Sequence, residues 1–142
     1  MAQITMAKQA KVWSFKSLSF WLALVISAGI IYIGVNGILN PAAAAAGFGM
    51  PLHATSDDPF VRIKGVRDIV YGLLLLAFLG LKKPRAASIL VFVATLIPAG
   101  DFLIVLLTGD HQPLHLAIHS GTVIYMLIVG YLLHRQSEKT NY

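Results

Sequence analysis

Four side chains able to do chemistry recur at one level of an otherwise apolar chain: Arg67, Asp68, Asp101 and His119. Arginine carries a permanent charge and a fork of donors that suits an anion. A carboxylate takes or gives a proton, and histidine titrates near neutral pH. Asp68, Asp101 and His119 are therefore the candidates for catalytic proton transfer, and Arg67 is the candidate anion-binding group. Tyr71 follows Arg67 by four residues and shares its helix face. His115 and His119 are also four apart, a spacing at which two imidazoles can share a metal ion. No Glu or Cys stands beside them to complete a ligand set, so neither a metal nor another cofactor is expected. The candidate ligand-binding set is Arg67, Asp68, Tyr71, Asp101, His115 and His119.

The elements that hold these groups must be membrane helices. Of the 142 residues 57% are hydrophobic and 12% charged, against roughly 45–50% and about 25% in soluble domains. A globule of this length has too little interior to hide that much apolar surface. The absence of cysteine excludes disulfides, thiolate metal sites and cysteine nucleophiles. The formal charge of +5, from 11 Lys and Arg against 6 Asp and Glu, would suggest a nucleic-acid partner on a soluble surface. Here most of the basic residues flank apolar segments, so nucleic acid is not expected and the lipid bilayer is the partner.

A spanning helix needs about 20 mostly apolar residues, and four segments qualify: 17–39, 59–81, 86–107 and 114–133. The short turns between the second and third and between the third and fourth make neighbours antiparallel. The fold class expected is all-α, an integral membrane four-helix bundle. Between the first two spans, Asn40 caps, Pro41 starts, alanines propagate and Gly47 terminates a short interfacial helix over about 41–47. Gly29, Gly34, Gly37, Gly65 and Gly72 allow helices to approach closely, and Pro98 loosens the third span next to Asp101.

Lys8, Lys11, Lys16, Lys82, Lys83, Arg85, Arg135 and Lys139 all fall on one side of this arrangement. The positive-inside rule then makes both termini cytoplasmic, with tails 1–16 and 134–142 around a transmembrane domain 17–133. A cleaved signal peptide competes for the first span, but its apolar stretch far exceeds the roughly 7–15 residues of a signal core. The expected location is a membrane, crossed several times, and in a bacterium the inner membrane.

Counting from Pro59 puts Arg67 about 12 Å and Asp68 about 13–14 Å along the second span. Asp101 and His119 each lie about 9 Å from the same end of theirs. Ionisable groups at such depth face the bundle interior and pair with one another. On the structural reading, Arg67 or Lys64 pairs with Asp101, Lys64 with Asp68, and Arg62 with Asp58, fixing helix register. On the functional reading, Arg62, Lys64 and Arg67 exceed Asp68 and Asp101 by one charge, which a bound anion supplies. The expected site is a cleft walled by the second, third and fourth spans and open to the outer leaflet. It would bind a small amphipathic or anionic molecule. The alternatives are a membrane-embedded enzyme acting by proton transfer or redox on a lipid-like substrate, and a structural membrane subunit, which as a homo-oligomer would repeat the bundle.

The stretch Asn40-Pro41 followed by alanines and Gly47-Phe48-Gly49, then Gly65-Val66-Arg67-Asp68-Ile69-Val70-Tyr71-Gly72, then Pro98 with Asp101 and a histidine in the last span, resembles a family of small four-helix integral membrane proteins of bacteria and fungi whose function is unknown. A looser resemblance is to DoxX-like membrane proteins, which carry a glycine and an arginine near one membrane face. Both resemblances imply a four-helix membrane bundle, and neither implies a reaction.

Overall fold

Apolar stretches bounded by proline and by basic turns become helices throughout the computed structural model, which describes residue 13 and residues 16–109 and 111–140. Lys8 and Lys11, used above to place the membrane sides, lie outside the described residues. The order is α1 (Leu18–Leu39), α2 (Pro41–Phe48), a single 3-10 turn over Thr55–Asp57, α3 (Asp58–Gly80), α4 (Pro84–Ala94), α5 (Leu96–Thr108) and α6 (Pro113–Thr140). No strand occurs among the described residues.

Three of these stretches are long and apolar enough to cross a membrane: Leu18–Leu39, Pro84–Thr108 and Pro113–Lys139. Their exteriors carry large apolar side chains, among them Val25, Tyr32, Val93, Leu107, Ile118 and Ile128. Water would not tolerate so continuous an apolar surface, and the chain is a membrane protein. α3 has the length, but its first half carries Asp58, Arg62, Lys64, Arg67 and Asp68, which sets it apart from the other three.

Glycine decides how α1 meets α3. A Cβ on Gly34 would lie 2.5 Å from the Gly65 carbonyl oxygen, and one on Gly65 would lie 2.5 Å from the Gly34 carbonyl oxygen. Further along the same contact, Gly72 faces Ile31, and the Ser27 hydroxyl donates to the Gly72 carbonyl at 2.6 Å. Gly29, expected to help, faces open space instead. The second long contact, α4 on α6, uses the same device: Gly130 admits the Phe92 ring, and the Ser88 hydroxyl donates to the Gly130 carbonyl at 2.9 Å. These two pairs, α1 with α3 and α4–α5 with α6, carry most of the helix packing.

The pairs are joined by a dry core at one end. Phe20, Leu75, Leu79, Ala87, Val91, Val129 and Leu133 pack there with Trp13, whose indole N–H donates to Ser19. Trp13 belongs to the segment expected as a tail, and is 1% exposed. α6 likewise continues to Thr140 rather than ending near 133. The third span is broken into α4 and α5 at Thr95 because Pro98 has no N–H to offer the Ala94 carbonyl and its ring crowds that oxygen. At the break the Val91 carbonyl accepts from both the Thr95 N–H, at 3.0 Å, and the Thr95 hydroxyl, at 2.8 Å.

At the opposite end α3 and α6 do not pack on each other, and α2 fills the space, resting on α1 and α3. α2 ends one residue later than expected. Phe48 is its last residue, and Gly49, at φ +90°, forms the left-handed cap. Met50 N–H then returns to the Ala45 carbonyl, the closure typical of such caps.

Candidate functional site

Polar groups of α3 and α6 converge on Phe48. Asp68 is buried, and Lys64, one turn before it on α3, donates to its Oδ2 at 2.7 Å. The Lys64 ammonium also stands 5.1 Å from the centre of the Phe48 ring. The His119 ring meets the same ring edge-on, centroids 4.6 Å apart, and its Nε2 lies 3.0 Å from the Phe48 carbonyl oxygen. A carbonyl oxygen only accepts, so Nε2 carries the proton and Nδ1 is the nitrogen left for other chemistry. Asp101, half-buried on α5, lies within electrostatic reach of Lys64, His119 and Asp68. One aromatic residue of the short helix therefore bridges a cation and an imidazole from two long helices.

Gly49 makes this docking possible. A Cβ there would come within 3.1 Å of both His115 and Val105, so the loop could not lie against α5 and α6 with a larger residue. His115 is thus held against the cap of α2, while His119 turns to Phe48. No group of three or more His, Asp or Glu side chains comes together around a common point among the described residues.

A cavity of about 420 Å³ opens on the other side of Phe48. Its walls come from the end of α1, from α2 and the loop after it, and from one face of α3: Ile33, Phe48, Met50, Leu52, Phe60 and Val61 form an apolar basin. Lys64, Arg67 and Asp68 stand on that same wall of α3. Arg67 is exposed and makes no hydrogen bond or ion pair among the described residues.

Several expectations change against this geometry. The cavity lies among α1, α2 and α3 rather than among the second, third and fourth spans, because Phe48 occupies the space between α3 and α6. Of the six ligand-binding candidates, Arg67 and Asp68 line it; Tyr71, Asp101, His115 and His119 do not. Of the two cations expected for Asp101, Lys64 is the one within electrostatic reach and Arg67 is not. Arg62 does not answer Asp58 but donates to the Ile38 carbonyl at the end of α1. Phe48 directly follows the interfacial helix expected over 41–47, and Phe60 and Leu52 carry no distinguishing signal in the sequence. The i, i+4 spacing of Lys64 and Asp68 is legible in the sequence, and that ion pair forms.

No curated protein and no solved structure matches the chain. A family model described as Domain of unknown function (DUF4267) matches residues 27–133. The match begins at Ser27, whose hydroxyl locks α1 to α3, and ends at Leu133 in the dry core, covering more than half of the chain. The chain therefore belongs to the DUF4267 family.

Proposed function

We propose that this is a four-span membrane protein, with α3 as the fourth span, that binds a small anionic amphiphile in the cavity beside Phe48. α3 lies along α1 for most of its length, and its outward residues Ile63, Val66, Val70, Leu73 and Leu74 are exposed and apolar, a surface suited to lipid. With the basic flanks cytoplasmic, the cavity faces the outer leaflet. Its volume is within the roughly 300–1,000 Å³ of small-molecule sites, and it has the two parts an amphiphile needs, an apolar basin and a cation. The observation that carries the reading is Arg67, an unpaired guanidinium on a wall whose other cation, Lys64, is already engaged by Asp68. A second reading, proton transfer on the bound molecule, draws on Asp101 and His119 just behind Phe48.

The test is ligand binding by the full chain in uncharged detergent, with dodecanoate against dodecanol as probes. Dodecanoate should bind, and dodecanol should bind at least tenfold more weakly. Arg67→Gln should weaken dodecanoate by about 10- to 100-fold, the effect of losing one charge-assisted hydrogen bond, and should leave dodecanol unchanged. Equal binding of both probes, or of dodecanoate to both proteins, refutes the proposal.

A further inference from the structure

The opposite end of the bundle carries a second cavity, of about 410 Å³, where α3 turns into α4. Lys82, Lys83 and Arg85 line it with no acid among the lining residues, and Ile89 and Ser137 form its far side. None of the three cations makes a side-chain hydrogen bond or ion pair among the described residues. Ser137 is buried, donating to the His134 carbonyl at 2.7 Å. It belongs to the part of α6 that runs on past the core, so that extension builds the second wall.

The backbone of the turn is informative. Lys82 N–H bonds to Leu79 and Lys83 N–H to Phe78, the same closure that ends α2, where the left-handed position is Gly49. Here the left-handed residue is Lys82, at φ +54°. Glycine is the residue such a position favours, and a lysine there carries a conformational cost. The charge stands where backbone preference alone would place a glycine. Pro84 opens α4, and the amides of its first turn, which have no intrahelical acceptor, add donors at the same edge. Leu81 and Ile89, both exposed, flank the cations with apolar surface on the bundle exterior, where acyl chains run.

We infer that this basic cavity binds the phosphate of an anionic membrane lipid, with Lys82, Lys83 and Arg85 around the headgroup and its chains along Leu81 and Ile89. The flanking apolar surface favours a lipid over a free phosphate. The site is independent of the cavity beside Phe48, which lies at the other end of α3.

Binding is measured by native mass spectrometry on the full chain carrying Arg67→Gln, so that the other cavity does not contribute. The probes are dioctanoyl phosphatidic acid, dioctanoyl phosphatidylcholine and inorganic phosphate. Phosphatidic acid should bind well above the other two. Lys82→Gly removes one charge while giving the turn its preferred residue, so the protein should unfold at the same or a higher temperature yet bind about fivefold more weakly. Adding Lys83→Gln and Arg85→Gln should bring the loss to roughly a hundredfold. Undiminished binding in Lys82→Gly and in the triple variant overturns the assignment. So does phosphatidylcholine matching phosphatidic acid, or inorganic phosphate binding as tightly as the lipid, or no binding of phosphatidic acid at all.

Discussion

Asp68→Asn is the sharpest perturbation of the polar cluster, because it removes a charge and almost no volume. The Asp68 side chain is 8% exposed and Lys64 33%, with nitrogen and oxygen 2.7 Å apart. Breaking a fully buried pair costs about 3–5 kcal/mol, and an exposed one about 0–1. A pair with a buried acid and a third-exposed lysine falls between, at about 2 kcal/mol. The Phe48 ring beneath the ammonium offsets part of this, about 0.5–1 kcal/mol for a partly solvated cation over an aromatic face, and that contact survives the substitution. The net loss should therefore be about 1–2 kcal/mol, read as unfolding in mixed micelles. Adding Lys64→Met removes the stranded cation, and the double variant should recover most of the loss. Arg67→Met, at an exposed residue without a protein partner, should change stability by less than about 0.5 kcal/mol. If Asp68→Asn is as stable as the parent, or the double variant loses the sum of its singles, Lys64 and Asp68 do not form the lock described here.

Gly34→Ala should destabilise by about 1–3 kcal/mol, since its Cβ would strike the Gly65 carbonyl at 2.5 Å. Gly29→Ala, facing open space on the same helix, should be neutral or stabilising by up to about 1 kcal/mol; the reverse order in thermal unfolding refutes the α1–α3 contact. The natural absence of cysteine makes a topology test clean. In intact cells a membrane-impermeant thiol reagent should label Ser56→Cys and spare Glu138→Cys, and labelling of the second alone would invert the orientation.

How much of this was legible in the sequence depended on whether the signal was local. Proline and glycine at helix ends, the apolar runs and the basic turn 82–85 are properties of neighbouring residues, and the helices start and stop near where those residues put them. Gly34, Gly65 and Gly72 were legible as close-approach glycines by type, but only the packing separates them from Gly29. The break at Thr95 follows from Pro98 three residues on, and the sequence placed the looseness but not the division into two helices. Depth along each span brought Arg67, Asp68, Asp101 and His119 to one level; in the structure Asp68 and His119 lie within electrostatic reach of Asp101, as does Lys64, and Arg67 stands apart on the cavity wall. Which neighbour each would meet depended on the rotation of four helices and on α2, whose alanines give no hint of direction. That is why the sequence pointed to a cleft among the second, third and fourth spans while a cavity opens among α1, α2 and α3: nothing in Ala-Ala-Gly-Phe-Gly announces that the phenylalanine will lie between α3 and α6.

The three cations of α3 meet different partners. Arg62, exposed near the start of α3, donates to the Ile38 carbonyl at the end of α1, and Lys64 is paired with Asp68. Asp101 answers to Lys64 and His119. The remaining cation is Arg67, nine residues into α3 and so about 13–14 Å along its axis. On the proposed four-span topology that depth is inside the apolar zone, where an uncompensated arginine costs about 2.5–3.5 kcal/mol. Three arrangements lower this: a protein acid, a wet cavity, or a bound anion. Among the described residues no acid pairs with Arg67, which leaves the cavity wall on which it stands. A cavity that only solvated Arg67 would need no apolar basin, and a basin that only held a lipid tail would need no arginine. The two occur on one wall of α3, Phe60 and Val61 about two turns before Arg67, and a molecule with an anionic head and an apolar body would satisfy both at once.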